Sequence, residues 1–267
     1  MLRLLSIASG SSGNCIYLGS DHTHVLIDAG ISRKRIEEGL DLAGIKPEEL
    51  AGIFVTHEHS DHVKSLGIMA RKYGIPMYAT EGTLDAVRKD SSQGRYDTGL
   101  FRIIEPDSDV QLGDLTVHPF HTYHDAADPV GYRIASGRFQ AAVATDTGHF
   151  DDYLVDNLKN LNAVLLESNH DVRMLEAGTY PYYLKRRILG DCGHLSNENC
   201  GRLLCQVLND DLEHVFLGHL SKENNIPELA YEAVRCEIAQ ENCGYMPDDF
   251  HIEVASREHP GSLVEIL

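Results

Sequence analysis

The 267-residue chain has no CxxC pair, no apolar run long enough to cross a membrane, and no excess of basic residues. Each absence removes a class of protein. The six cysteines, Cys15, Cys192, Cys200, Cys205, Cys236 and Cys243, are too scattered to form the framework of a small disulfide-stapled fold. They read as reduced thiols of a reducing compartment, each expected as a small buried apolar side chain. A membrane-spanning helix needs about 20 consecutive apolar residues, and no segment approaches that. The first residues, MLRLLSIASGSSGN, hold an apolar stretch too short for a signal-peptide core, and no cleavage site follows it. A cytoplasmic protein is the expectation. With 23 Lys and Arg against 41 Asp and Glu, the formal net charge is −18, which opposes nonspecific attachment to nucleic acid or to an anionic membrane. Carboxylates that face bound cations would offset part of that excess. There is no low-complexity tract, long linker or repeat of fixed period.

What the chain does have is an ordinary globular balance, 42% hydrophobic and 24% charged. A chain of this length buries a core without staples, and one domain over residues 1–267 is expected. Strand-like runs occur at Leu2–Ala8, Ile16–Leu18, Val25–Ile27, Ile53–Thr56, Thr116–Phe120, Gly131–Ala135, Ala141–Thr145, Leu161–Leu166, Val215–Leu217, Ile252–Ala255 and Leu263–Leu267. Helical patterns begin after Ser32, a plausible N-cap, and cover Val63–Tyr73 up to Gly74, the region of Phe150–Leu158, Asn197–Leu208 and Pro227–Ile238. Asp90–Gly99 reads as an irregular insertion. Strands first, then alternating strands and helices, suit an α/β fold with sheets covered by outer helices.

The richest segment is Thr56-His57-Glu58-His59-Ser60-Asp61-His62, directly after a strand. Three histidines and an aspartate within six residues point to metal ligation, because neutral imidazole and carboxylate are preferred ligands of zinc and similar ions. In a tight loop alternate residues point the same way, so His57 and His59 can share one cation while Asp61 and His62 turn toward a second. The remaining ligands must come from other strand ends. Three residues are placed for it: His124, after Thr116–Phe120; Asp146, after Ala141–Thr145; and His219, after Val215–Leu217. Taken singly, Asp146 can also cap the following helix, His219 can be a satisfied core histidine, and His121 competes with His124.

This ordered set resembles the metallo-β-lactamase superfamily: the HxHxDH loop, Asp28 at a strand end before Gly30, His124, the aspartate of Thr145-Asp146-Thr147-Gly148, and Gly218-His219. Within it the chain looks like the YycJ/WalJ-type group, on Ser9-Gly10-Ser11-Ser12-Gly13-Asn14, Leu166-Glu167-Ser168-Asn169-His170-Asp171, Gly193-His194-Leu195-Ser196-Asn197 and Gly218-His219-Leu220-Ser221. That group is similar to tRNase Z and to the phosphodiesterase of phosphonate catabolism. The resemblance implies an αββα four-layer sandwich with two divalent ions, Zn or Mn, with Fe permitted. His57, His59 and His124 would hold one ion, Asp61, His62 and His219 the other, and Asp146 would bridge them. Asp28 would stand behind the ligands and orient them, which agrees with an acid accepting an imidazole N–H. The implied reaction is phosphodiester hydrolysis, on DNA, in the manner of a 5′-to-3′ exonuclease.

Two cations sharing a water can generate hydroxide near neutral pH and offset charge on the phosphoryl oxygens. The catalytic side chains would be Asp61, His194 and Glu167. His194, expected to open a helix, would protonate the leaving oxygen, with Glu167 orienting it; His170 is the rival donor. The loop Ser9–Asn14, with Ser11 and Asn14 as its candidate substrate-binding residues, either cradles a substrate phosphate or is a tight turn joining two strands. Lys185, Arg186 and Arg187 are candidate substrate-binding cations, whereas Arg33-Lys34-Arg35 read as a solvated helix face. Thioester or lactone hydrolysis on the same fold is the alternative enzyme reading. A non-catalytic metal-binding protein is the other, and would be expected to lack part of this set.

Overall fold

The computed structural model describes every residue except Tyr96 and Asn242. The chain opens with β1 (Leu2–Ala8), β2 (Cys15–Gly19), β3 (His24–Ile27), α1 (Arg33–Leu42) and β4 (Leu50–Phe54). It continues through α2 (Ser60–Val63), α3 (Leu66–Tyr73), β5 (Met77–Ala79), α4 (Glu81–Lys89), β6 (Phe101–Ile103), β7 (Val110–Leu112), β8 (Leu115–His121) and β9 (Val130–Ser136). The second half holds β10 (Phe139–Ala144), α5 (Asp152–Asn157), β11 (Ala163–Glu167), α6 (Val172–Ala177), α7 (Tyr182–Ile188), α8 (Asn197–Val207), β12 (His214–Gly218), α9 (Pro227–Gln240), β13 (His251–Val254) and β14 (Val264–Ile266).

Two seven-stranded sheets result, ordered β14-β1-β2-β3-β4-β5-β6 and β13-β12-β11-β10-β9-β8-β7. The inner faces meet in one apolar layer, with Leu4, Ile16, Ile27 and Phe54 from the first sheet and Val117, Tyr132, Val143 and Phe216 from the second. Ile36 and Leu40 of α1, Leu66 and Met69 of α3 and Leu84 of α4 cover the outer face of the first sheet. Leu154 of α5, Leu203 and Leu204 of α8 and Val234 and Ile238 of α9 cover the second. This is the expected αββα sandwich. Strands buried on both faces read as near-continuous apolar runs, which is why β1, β10, β11 and β12 are plain in the sequence.

The topology decides where loops converge. β3 and β4 run parallel, as do β10, β11 and β12, so their C-terminal ends all emerge on one rim. Two bonds tie the sheets together there: Tyr132 Oη donates to Val55 O at 2.6 Å, and Val130 N to Thr56 O at 3.0 Å.

Several expectations are corrected. The helix read over Val63–Tyr73 is broken: α2 already covers Ser60–Val63, and α3 starts at Leu66. Ser65, at the break, donates its N–H to Ala29 O and its hydroxyl to Ile31 O, which pulls the chain toward the β3 loop. Gly74 does end α3, with a left-handed φ of 67°. Asp151, not Asp146, caps α5. His194 opens no helix: α8 starts at Asn197 behind the Ser196 cap. Of the six thiols only Cys15 and Cys200 are buried, and Cys192 and Cys236 are exposed. The described part of Asp90–Gly99 forms two short 3-10 turns, and its Tyr96 lies outside the described residues. No helix among the described residues is long and apolar enough to cross a membrane.

Candidate metal centre

Six strand ends deliver the site. Asp28 follows β3, the His57–His62 loop follows β4, His124 lies beyond β8, Asp146 follows β10, Glu167 ends β11, and His219 follows β12. Asp28, Asp146 and His219 have φ of 63°, 59° and 55°, three of five left-handed non-glycine residues among those described. Aspartate and histidine enter that region more readily than most residues, and it turns each side chain off its strand into the rim. Gly30 permits a close approach behind the loop, since a Cβ there would stand 1.6 Å from Asp61 O.

Ligand-type atoms gather in four groups, each within 4.8 Å: His57, His59 and His124; Asp61, His62 and His219; His57, His62 and Asp146; and Asp146, Glu167, His194 and His219. Asp146 faces several imidazoles, with Oδ2 3.2 Å from His62 Nε2 and Oδ1 3.7 Å from His124 Nε2 and 3.5 Å from His219 Nδ1. Asp61 Oδ2 stands 3.5 Å from both His62 Nε2 and His219 Nε2.

Behind these atoms lies a layer of orienting bonds. Asp28 Oδ2 meets His62 Nδ1 at 2.7 Å and accepts from Thr56 Oγ1 at 2.9 Å, while Oδ1 accepts from Thr56 N at 2.8 Å. Glu167, fully buried, places Oε1 2.7 Å from His194 Nδ1 and 2.9 Å from His219 Nδ1, and its Oε2 accepts from Thr147 N at 2.9 Å. Gly193 O holds His124 Nδ1 at 3.0 Å. At His62, His124 and His219 such a bond leaves the other ring nitrogen facing the cluster, as metal-ligating histidines require.

Electrostatics divides the imidazoles. Burial, reinforced by the neighbouring His62, holds His57 well below the usual histidine range, and burial likewise lowers His124. Burial alone would lower His62 and His219 too. The carboxylates Asp146, Asp28 and Asp61 overcome it at His62, which lies well above the usual range. Asp146, Asp61 and Glu167 push His219 up to about 10. Burial would raise Glu167, but His194 and His219 bring it down to about 2.

The donors fit divalent cations. His57 Nε2 is buried without a hydrogen-bond partner among the described residues, Asp146 Oδ2 has only its 3.2 Å approach to His62 Nε2, and both residues belong to one group of converging ligand atoms. Orphaned buried polar atoms are rare, and an orphaned imidazole nitrogen beside a carboxylate oxygen is what a cation satisfies.

A family model described as a beta-lactamase superfamily domain matches residues 23–212. The chain belongs to that superfamily. Among its relatives, exodeoxyribonuclease WalJ of Streptococcus pneumoniae is 40% identical, over 97% of this chain and 96% of that protein. Exodeoxyribonuclease YycJ of Bacillus anthracis is 41% identical, over 91% of each. The crystal structure of the short form of human tRNase Z superposes with a TM-score of 0.67 at 13% identity, over 99% of each chain, a likeness of fold. As a superfamily member with these His and Asp clusters, the chain is built to bind divalent metal.

Other residues singled out in the sequence lie around this superfamily centre in different ways. His121 is half exposed and faces Asp128, away from the cluster that His124 joins. His170 is buried, with burial lowering it to about 4, and Nδ1 3.3 Å from Asn169 Oδ1. His194 keeps 15% of its side chain exposed, so it is the one that reaches solvent at the rim. Asn14 is a correction: it is fully buried and spent, with Oδ1 accepting from Gly10 N at 2.9 Å and Nδ2 3.1 Å from His62 Nε2, so it braces the loop and cannot touch substrate. Ser11 is exposed at the same turn. Lys185 is also spent, donating to Glu176 O and Gly178 O, and Arg187 pairs with Asp125 through two nitrogens. Only Arg186 of that triplet is unpaired among the described residues. Arg33 and Lys34 face Glu37 and Glu38 one turn on, as a solvated helix face does. Thr56 had no assigned role in the sequence reading, and Ser9 entered it only as the start of the Ser9–Asn14 loop. Thr56 links Asp28 to the ring nitrogens of His57 and His62, and Ser9 Oγ accepts from His219 N at 2.9 Å. The threonine beside the first histidine was the available signal.

Proposed function

We propose that this chain is a phosphodiesterase acting on DNA from an end, in the 5′-to-3′ direction, with two divalent ions, Zn or Mn, held by His57, His59, His124, Asp61, His62, His219 and a bridging Asp146. It is a metal-dependent hydrolase. The observation that carries the reading is the convergence of these seven side chains on one rim, with Asp146 between the two histidine groups. The named exodeoxyribonucleases at 40% and 41% identity support the substrate. We also read residues 1–267 as one domain, and the six unbridged thiols support a cytoplasmic setting.

Cations in such a site lower the pKa of water and neutralise charge on phosphoryl oxygens. The chain's own residues do the rest. Glu167 Oε1 accepts from His194 Nδ1 at 2.7 Å, which fixes the ring and leaves its Nε2 unengaged. His194 Nε2 makes no hydrogen bond among the described residues and is the atom available to protonate the departing oxygen. Glu167 also fixes His219, so one buried carboxylate couples ligand orientation to proton delivery. Asp28 and Thr56 hold His62 in the tautomer that leaves Nε2 toward the cluster.

The test is digestion of end-labelled single- and double-stranded DNA, with and without a 5′ phosphate, in zinc and in manganese. Stepwise release of nucleotides from the 5′ end is expected. Turnover of S-D-lactoylglutathione with no cleavage of any phosphodiester would replace this reading with thioester hydrolysis. Metal loading with no turnover of either would leave a binding protein.

A further inference from the structure

Residues 172–190 are charged unlike the rest of the chain. They hold Arg173, Lys185, Arg186 and Arg187 against one acid, Glu176, in a protein of net charge −18. Asp171, just ahead, is spent capping α6 through Met174 N. The same stretch carries the two most exposed large aromatic side chains among the described residues, Tyr182 at 76% and Tyr183 at 74%. Neither ring stacks on another, and neither hydroxyl is hydrogen-bonded, among the described residues.

Helical spacing sorts these residues onto two faces of α7. Tyr182 and Arg186 are four apart, and with Lys185 and Leu189 they line one recess of about 360 Å³. Tyr183 and Arg187 are also four apart, and Arg187 reaches Asp125, whose Oδ1 stands 3.5 Å from His124 Nε2. The far end of α7 abuts the site directly: His194 N donates to Ile188 O at 3.0 Å. Both tyrosines lie within about 9 Å of that end along the helix axis, at 1.5 Å per residue.

We propose that α7 is a stacking platform for the single-stranded end of the nucleic acid, with bases on the Tyr183 and Tyr182 rings and a phosphate on Arg186. This rests on the nuclease reading above and adds how the strand is gripped. Unstacked bases present free π-faces that aromatic rings hold without regard to sequence, and a duplex presents none along its length. Arg186 is the cation of the triplet with no partner among the described residues, so it is the one left for a phosphate. Arg187 instead anchors the platform to the His124 loop.

The test is anisotropy of a labelled, phosphorothioate-linked oligonucleotide that resists cleavage, against an abasic strand of the same length, using the full chain loaded with metal. Replacing either ring, Tyr182→Ala or Tyr183→Ala, is expected to weaken binding of the normal strand roughly fivefold or more. Abasic-strand binding should stay unchanged, and Tyr182→Phe and Tyr183→Phe should bind as the wild type does. Arg186→Ala should reduce the slope of log affinity against log salt by about 0.7. Alanine variants that bind the normal strand as tightly as wild type would overturn the proposal. So would an equal loss on the abasic strand. Altered sedimentation of the nucleic-acid-free variants with binding intact would instead make this face a contact between copies of the chain. Because binding is read without cleavage, a wild type that grips the strand through its rings but cuts no phosphodiester sinks the nuclease reading alone. Cleavage without any ring effect sinks the platform alone.

Discussion

Asp28→Asn replaces one carboxylate oxygen with an amide NH2 and leaves the volume nearly unchanged. In the native site Oδ2 meets His62 Nδ1 at 2.7 Å and Oδ1 accepts from Thr56 N at 2.8 Å. The carboxylate accepts on both sides, so Nδ1 carries the proton and Nε2 is left for a cation beside Asp61 and Asp146. Asparagine has a single acceptor. Placed on Thr56 N, it turns NH2 toward Nδ1 and drives the imidazole proton to Nε2, the ligating atom. Flipped, it sets its NH2 against the Thr56 N–H, donor facing donor. Either way a buried donor loses its acceptor, which costs about 1–3 kcal/mol of folding stability. Removing such an orienting partner typically lowers metal affinity by about 10- to 100-fold, or about 1.4–2.8 kcal/mol at 1.4 per decade. That is the size of one charge-assisted hydrogen bond, so the two routes to the estimate agree. Competition with a chromophoric chelator at constant pH measures the affinity, and a thermal melt measures the fold. An Asn variant that binds metal as tightly as the wild type would refute the tautomer argument, whatever its melting temperature.

Glu167→Gln should lower turnover by roughly 10²- to 10⁴-fold, since it releases the His194 ring that general-acid catalysis needs; single-turnover rates check this, and an unchanged rate would remove His194 from proton delivery. Metal loading should expel protons. Without a cation His62 lies above the usual histidine range and His219 at about 10, so both hold protons at neutral pH and must lose them to ligate. Affinity should therefore rise with pH through neutrality toward 10 and weaken on acidification; calorimetry in buffers of different ionisation heat measures the release, and none would contradict the assignment. Gly30→Ala should cost about 3 kcal/mol or more, because its Cβ would overlap Asp61 O and displace the ligand loop. A urea titration reads it, and a neutral substitution there would mean that the loop yields freely.

The parts legible in the sequence are those where burial and chemistry agree. Leu2–Ala8 is a strand as read, because a run buried on both faces needs no alternation to be recognised. The residues of the candidate centre stood out because most of them lie where an apolar run stops. Short elements were not: β5, β6 and β7 have three residues each, and α6 and α7 hold six and seven. α6 stops before Gly178 and α7 starts after Pro181, and fewer than two helical turns in each carry too little periodicity to register. α4 was missed as well, although Thr80 caps it through Thr83 N. The β4 strand was read too late because Val55 and Thr56 continue its apolar pattern while already belonging to the rim. Asn14, Lys185 and Arg187 were misjudged for one reason. A polar side chain's availability depends on what the fold sets beside it: His62 and Asp125 are remote in sequence from Asn14 and Arg187, and Lys185 is taken by backbone carbonyls, which no side-chain pattern reveals. The tyrosines of α7 escaped notice because an aromatic residue in a sequence reads as core until its exposure is known.

The left-handed backbone at Asp28, Asp146 and His219 outlasts the chemistry it serves. In a descendant that had abandoned hydrolysis, selection on those side chains would relax, yet the chain would still have to reverse after β3, β10 and β12. Drift would then be funnelled toward asparagine and glycine, which tolerate the geometry, and away from valine or isoleucine. Retained aspartates at 28 and 146 therefore testify to heritage, and the histidine at 219, the least favoured of the three for its backbone, is the better witness to an enzyme still at work.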